Sequence, residues 1–362
     1  MKLGLFGYGT IGRGVFTLVA KLNQKYNCKI EKVFDLPFKK EELKELLVTD
    51  INDIINDDSI ECVVEVLGGH DLPYEVITRC LSKGKSVITA NKEVVSLHLE
   101  EFIRLSHENN CSFCFEASAG GGIPVIRTLI DNLKVNEVND IYGILNGTTN
   151  YILTKMADEG YTFEDALDLA KKNGFAEANP IADLEGLDIV RKINILSSLA
   201  FSGKINNDDI YHFGIQGINK TILDKIKSLG YQLKYVASSY KNENDEVMIR
   251  VEPTMVLGNH PFASIKYEFN AILFTGSTND TLMFYGKGAG SIPTATAIVS
   301  DLVSILENRA YIEFNTNHKL KVNQNMKNPY TYYVFDENGE YKVLTNATDE
   351  ELQKSKFYAR VL

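Results

Sequence analysis

Asp188 and Lys192 stand four residues apart in Gly186-Leu-Asp-Ile-Val-Arg-Lys192, within a stretch whose pattern predicts a helix over 183–201. That spacing puts an acid and a base on one helical face. A third carboxylate, Glu177, lies just upstream. At the N-terminus, Gly7-Tyr-Gly-Thr-Ile-Gly12 follows a short apolar strand and precedes a helical pattern, which is the arrangement that cradles a dinucleotide pyrophosphate. A carrier of hydride together with a lysine able to carry a proton is the equipment of an alcohol–carbonyl redox reaction. Spacing alone also leaves Asp188 and Lys192 as an ordinary surface ion pair worth a few tenths of a kcal/mol.

In the glycine motif, Gly7 permits the tight turn, Gly9 lets the backbone approach phosphate, and Gly12 lets helix and strand pack closely. Asp35 ends the second predicted strand, where an acid bonds the ribose hydroxyls of NAD, whereas Lys39 and Lys40 just beyond would suit the 2′-phosphate of NADP. Thr89-Ala-Asn-Lys92 stands at a strand's C-terminal end, where Lys92 is either a cation for a ligand or a solvated loop lysine. In Asn146-Gly-Thr-Thr-Asn150 a strand turns into a helix, with Thr148 or Thr149 expected as the N-cap. Gly174-Phe-Ala-Glu177 carries an acid suited to an ammonium group. Gly186 inside a helix costs about 1 kcal/mol relative to Ala, which points to close packing or a ligand. Gly286-Lys-Gly-Ala-Gly290 is a second glycine loop opening a helix.

These residues need elements to position them. Apolar runs near Lys2–Phe6, Lys29–Phe34, Ile60–Val66, Val87–Ile88 and Ser112–Glu116 alternate with helical patterns, including a charged helix around Lys40–Leu47. That alternation predicts a Rossmann-type, doubly wound parallel α/β sheet. After Ser118-Ala-Gly-Gly-Gly-Ile-Pro124 the pattern changes to helices at 151–159, 163–173 and 183–201. Strands between 231 and 285 follow, one of them alternating over Glu246–Val256. This predicts a dinucleotide-binding domain over 1–118 and 291–310 and an α+β substrate and dimerisation domain over 119–290. Residues 311–362, polar and rich in Tyr and Asn, read as a short C-terminal extension with a hairpin at Asn338-Gly339.

With 362 residues, 44% hydrophobic and a net charge of −10, the chain is an ordinary globular protein whose main partner is neither nucleic acid nor an anionic membrane. No run of 18 apolar residues suggests a membrane span. Five cysteines, an odd number in a large chain, argue against a disulfide framework and for a reducing cytoplasm. Cys111-Ser-Phe-Cys114 has C-x-x-C spacing, but the two residues sit in a strand-like run and point to opposite faces.

Taken together and in order, these segments resemble homoserine dehydrogenase. The likeness runs through Phe6-Gly-Tyr-Gly-Thr-Ile-Gly-Arg-Gly14, Val63-Val-Glu-Val-Leu-Gly-Gly69, Val87-Ile-Thr-Ala-Asn-Lys92 and Phe115-Glu-Ala-Ser-Ala-Gly-Gly-Gly-Ile-Pro124. It continues in Gly143-Ile-Leu-Asn-Gly-Thr-Thr-Asn-Tyr-Ile-Leu153, Gly174-Phe-Ala-Glu-Ala-Asn-Pro180, Gly186-Leu-Asp-Ile-Val-Arg-Lys192 and Gly286-Lys-Gly-Ala-Gly290, covering roughly residues 1–308. The resemblance implies reversible NAD(P)H-dependent reduction of L-aspartate 4-semialdehyde to L-homoserine, on the route to threonine, methionine and isoleucine. It implies that Lys192 gives the proton, Asp188 orients substrate and lysine, Glu177 grips the amino group, and Lys92 is a second active-site lysine. Further substrate contacts are implied at Asp183, Asn146, Gly147 and Thr148. Cofactor contacts are implied at Gly7, Gly9, Thr10, Ile11, Gly12, Asp35, Gly68, Thr89, Lys92, Gly174 and Gly290. A sodium ion held mostly by backbone carbonyls is implied at Glu116, Ala119, Gly121 and Ile123, a hard-cation oxygen site. A homodimer formed through the second domain's sheet is implied as well.

The chain departs from the family in places. Asn179 stands where members often have Asp, and Phe34 where they often have a basic residue, the latter favouring NAD. The tail resembles the start of an ACT-type regulatory domain that ends too soon to complete it, so direct threonine inhibition is not expected. The rival enzyme reading is another amino-acid or oxo-acid dehydrogenase of the same fold. The rival binding-module reading requires a lost Lys192 or Glu177, and both are present.

Overall fold

The strands of the first half form as predicted because each apolar run is short and bounded by a turn. The computed structural model describes residues 1–36, 43, 45–244, 246–314, 318–323 and 330–362. The chain divides into two compact units: Met1–Val135 with Ser198–Lys204 and Ala289–Lys319, and Asn136–Ser197 with Ile205–Gly288 and Leu320–Leu362.

The first unit contains β1 (Lys2–Phe6), α1 (Thr10–Tyr26), β2 (Lys29–Phe34), β3 (Leu47–Val48), α2 (Asn52–Ile55), β4 (Cys62–Glu65), α3 (Asp71–Ser82), β5 (Ser86–Thr89), α4 (Lys92–Glu108), β6 (Phe113–Cys114) and α5 (Ile126–Leu133). Its six strands run in the order β3-β2-β1-β4-β5-β6, all parallel. This is the doubly wound Rossmann order. Leu3, Leu5, Val33, Val64 and Ile88 from the sheet share one core with Val15 and Val19 of α1 and with Ile298 and Leu302 of the Ser291–Leu306 helix. The charged helix expected over 40–47 and the residues Lys39 and Lys40 fall largely outside the described residues; Leu47–Val48 is a strand. All five cysteines are free thiols, Cys111 half-buried and the others buried.

The second unit contains β7 (Val138–Ile144), α6 (Gly147–Glu159), α7 (Phe163–Lys172), α8 (Ile181–Leu184), α9 (Leu187–Ala200), β8 (Tyr211–His212), α10 (Lys220–Ser228), β9 (Tyr231–Lys241), β10 (Glu246–Leu257), β11 (Phe269–Gly276), β12 (Asp280–Lys287), β13 (Lys321–Val322), β14 (Thr331–Phe335), β15 (Tyr341–Thr345) and β16 (Phe357–Val361). Its ten-stranded sheet runs β12-β11-β7-β9-β10-β16-β14-β15, with β8 and β13 also paired to β10. Residues 331–361, read from sequence as an extension, supply three of these strands, with β16 parallel to β10 at Thr254↔Arg360.

Arg250, Glu252 and Thr254 alternate along β10 in the pattern of a half-solvated strand, yet Val247 through Val256 are all buried. Arg250 and Glu252 share the polar face. There the Glu252 carboxylate accepts from Arg250 (Nε 3.1 Å) and from the Tyr358 hydroxyl (2.9 Å), while Arg250 also reaches Asp349 (2.6 Å). The tail thus covers a face that the β10 sequence alone reads as wet.

Candidate active site

In a parallel sheet every strand delivers its C-terminal end to the same edge, and several first-unit residues expected to hold a cofactor stand there. Gly7 and Gly9 follow β1, Asp35 follows β2, Gly68 follows β4, and Thr89 ends β5. Gly7 has φ +99°, and a Cβ there would lie 2.7 Å from the Val66 carbonyl. A Cβ on Gly12 would lie 2.0 Å from the Gly7 carbonyl. At Gly9 an added Cβ would meet no protein atom within 4 Å, so that space is open to a ligand. Thr10 and Ile11 open α1, whose N-terminal amides face this turn. Ser291, just after Gly290, donates its hydroxyl to the Thr10 carbonyl (2.7 Å), which joins the second glycine loop to the first. Asp35 is buried, and Lys92 is the first residue of α4.

Two residues at this edge were not singled out from sequence. Glu65, the last residue of β4, is wholly buried and accepts from the Leu67 amide (2.6 Å) and the Thr89 hydroxyl (2.5 Å). Burial raises its carboxyl to about 7. Its signal was a glutamate ending an otherwise apolar strand. Thr89 is therefore occupied within the protein; its oxygen also accepts from the Asn91 amide (3.0 Å). Asn91 caps α4 through Val94 and donates to the Gly69 carbonyl (2.8 Å).

In the second unit the acid–base pair is real and buried. Lys192 Nζ donates to Asp188 Oδ2 (2.8 Å) and to the Leu145 carbonyl (2.7 Å), with Lys192 7% and Asp188 5% exposed. Asn146 Nδ2 bridges Asp188 (2.9 Å) and Asp183 (2.7 Å). Asn146 is also the N-cap of α6, accepting from the Thr149 amide (2.9 Å), so the cap is Asn146 and not Thr148 or Thr149. Gly147 is the first residue of α6 and Thr148 donates to the Phe175 carbonyl (2.5 Å). The turn carrying Phe175 is thereby held to α6. Glu177 on that turn is exposed, and so is Gly174, with φ +76°.

The single helix predicted over 183–201 is two helices broken at Gly186, which has φ +89°. An added Cβ would lie 2.2 Å from the Tyr235 hydroxyl. The break starts α9 immediately before Asp188 and lets Asp183 approach Asn146 from α8. The structure therefore brings Asn146, Asp183, Asp188 and Lys192 into one hydrogen-bonded cluster, with Glu177 exposed outside it and Lys92 in the first unit.

Residues 124–303 match the homoserine dehydrogenase family, and residues 7–116 match its NAD binding domain. The homoserine dehydrogenase of Bacillus subtilis (strain 168) is 37% identical, the match covering 97% of this chain and 85% of the relative. The chain belongs to the homoserine dehydrogenase family. Homoserine dehydrogenases are oxidoreductases that act on CH–OH groups with NAD(P). A homoserine dehydrogenase from Thiobacillus denitrificans has a similar structure, with a TM-score of 0.84 and 29% identity over 93% of this chain and 83% of that one. The S. aureus homoserine dehydrogenase at pH 6.5 gives 0.83 and 30%, covering 100% of this chain and 98% of its own. Among the described residues, no helix is long and apolar enough to cross a membrane.

Proposed function

We propose that this chain interconverts L-homoserine and L-aspartate 4-semialdehyde, with the proton moved by Lys192. The observation that carries this reading is the buried Lys192–Asp188–Asn146 cluster, in a segment that matches the family. When bound, the dinucleotide supplies or accepts the hydride. The open space at Gly9 fits its phosphates, and Asp35 its ribose. The first unit is thus the cofactor domain and the second the substrate domain.

Reduction leaves negative charge on the former carbonyl oxygen. The Lys192 ammonium stabilises that charge and then gives up a proton. Asp188 and the Leu145 carbonyl hold the ammonium in place, since each accepts one of its three N–H groups. Asn146 holds Asp188 in turn, and Asp183 on the other side of the same amide completes a carboxylate pair suited to a hydroxyl or ammonium. Glu177 takes the substrate amino group, with Gly147 and Thr148 shaping the turn. Lys92 completes the cofactor edge of the first unit in this reading.

The sodium ion fits the loop after β6. Glu116, Ala119, Gly121 and Ile123 are buried, and among the described residues the carbonyls of Ala119 and Gly121 accept no backbone hydrogen bond. Carbonyls not spent on backbone hydrogen bonds suit a hard cation, while the Ile123 carbonyl also accepts from the Val125 amide (2.9 Å). Both Glu116 carboxylate oxygens are already taken by the amides of Ile126 and Arg127 (2.8 Å each), leaving its backbone carbonyl as the ligand. A thermal shift on replacing Na⁺ with choline tests this; an unchanged Tm removes it. A homodimer is supported by the edge strand β12, with Met283 41% and Tyr285 53% exposed. A monomer in light scattering would refute it. The five free thiols and the biosynthetic reaction support a cytoplasmic location.

The deciding assay is steady-state oxidation of homoserine with NAD and with NADP side by side, against other small hydroxy and amino acids. Turnover confined to homoserine supports the reading. Turnover of a different hydroxy acid, with none of homoserine, favours the other dehydrogenase.

A further inference from the structure

His70 and His98 meet outside the machinery described above. His70 lies between the Gly68-Gly69 turn and α3, and His98 lies inside α4. Their Nε2 atoms are 3.0 Å apart. Each ring turns its other nitrogen to a carboxylate: His70 Nδ1 to Asp71 Oδ1 (2.9 Å) and His98 Nδ1 to Glu101 Oε2 (3.5 Å). Glu101 is held in place by the Tyr74 hydroxyl, which donates to both its oxygens (3.1 and 3.2 Å).

The His70 nitrogen bonded to Asp71 carries the proton, which leaves His70 Nε2 as a lone pair. Facing it at 3.0 Å, His98 Nε2 either donates its own proton or shares a positive species with that lone pair. A proton or a metal ion would serve. Burial holds His98 below the ordinary histidine value, and Lys204 and His70 push it the same way against the opposing Glu101. Two imidazoles on one tetrahedral zinc-class ion place their nitrogens about 3.3 Å apart, a few tenths of an ångström from what is found. The helical dihedrals of α4 also break at His98 itself (φ −128°). Both side chains keep solvent access, at 35% and 26% exposure, so an ion has an entry path.

We infer that His70 and His98 form a two-histidine site for a borderline transition-metal cation such as Zn²⁺ or Ni²⁺. Among the described residues no cluster of three His, Cys, Asp or Glu side chains could hold a metal, so water fills the other coordination positions. Asp71 and Glu101 act as the carboxylates that orient the ligands. An ion there would clasp the loop after β4 to α4, reinforcing the Asn91–Gly69 bond that already joins them.

The test is equilibrium dialysis of the full chain against Zn²⁺ and Ni²⁺, with Mg²⁺ in excess. One ion per chain is expected, with affinity reduced more than about tenfold in both His70→Gln and His98→Gln. Co²⁺ should give a spectrum of nitrogen and oxygen coordination without a thiolate charge-transfer band. Absence of binding, binding unchanged in both variants, or a thiolate band from Cys111 would each overturn the site. Should the variants misfold, histidine NMR on the unaltered chain decides. Zn²⁺ must perturb two of the six rings and no others. A different set, or a shared proton with no response to metal, refutes the proposal.

Discussion

Lys192 and Asp188 were readable as sharing a face, because four-residue spacing is a property of the helix. Their burial was not, since spacing says nothing of what covers that face. A signal did exist: Ile189, Val190, Ile193 and Ile195 put apolar residues on more than one side of α9, and a helix apolar all round is buried. A buried pair behaves unlike a surface pair, because removing one member strands the other charge. Lys192→Ala is therefore expected to lower kcat by about 10²–10⁴-fold, the usual worth of a general acid. It should also destabilise the chain by about 3–5 kcal/mol by removing the lysine charge that faces the buried Asp188 carboxylate. Dinucleotide affinity, measured by fluorescence titration, should stay within a few-fold, because none of the first unit's cofactor residues is altered. Near-normal turnover in a folded Lys192→Ala protein would remove the lysine from the mechanism.

At the scale of elements, the strands and glycine turn of the first unit were legible because apolar runs and tight turns are local. What escaped was set by contact with distant residues. Gly186 looked like a costly residue inside one helix; it is the joint between α8 and α9, required by φ +89° and by the Tyr235 hydroxyl. Gly186→Ala should cost about 2–4 kcal/mol from the left-handed backbone and the overpacking together, read as a lower denaturation midpoint. It should also lower kcat through the displaced Asp188. An unchanged midpoint would mean the joint is not strained by a methyl group. Glu65 at the end of β4 gives a pH prediction. Its carboxyl is raised from the ordinary 4.5 to about 7 by burial, so the folded chain holds that proton more tightly than the unfolded chain. Its contribution to stability is then fully present below about 4.5 and is lost as pH rises through about 7. Glu65→Gln keeps the shape without titrating. Relative to wild type the variant should gain stability between pH 4.5 and 8, by on the order of 3 kcal/mol in total. A stability difference that stays flat across that range in urea titrations would contradict the buried, titrating carboxyl.

For the molecule as a whole, the least legible part was the C-terminal tail. Its polar, Tyr-rich sequence reads as an appendage, because no local pattern reveals that β16 pairs with β10 about a hundred residues earlier. The polar face of β10 offered the complementary clue: Arg250, Glu252 and Thr254 alternate as a solvated face would, yet all are buried. A carboxylate wholly out of water is tolerated only when its lone pairs are filled. Glu252 meets that condition with Arg250, with Tyr358, and with Arg360 at 3.5 Å, the last two supplied by the tail. Replacing Glu252 with Gln removes the one charge shared by both arginines, leaving Arg250 with Asp349 and Arg360 with Ser238. The loss should be about 3–5 kcal/mol, seen as a lower Tm for the second unit. Removing residues 331–362 should destabilise the same unit. Combining the truncation with Glu252→Gln should give less than the sum, since both break one network. Strict additivity, or a truncated chain that melts like the full one, would show that the tail only lies on the sheet. Sub-additive loss would show that the second unit closes its polar β10 face only when the last strand is in place.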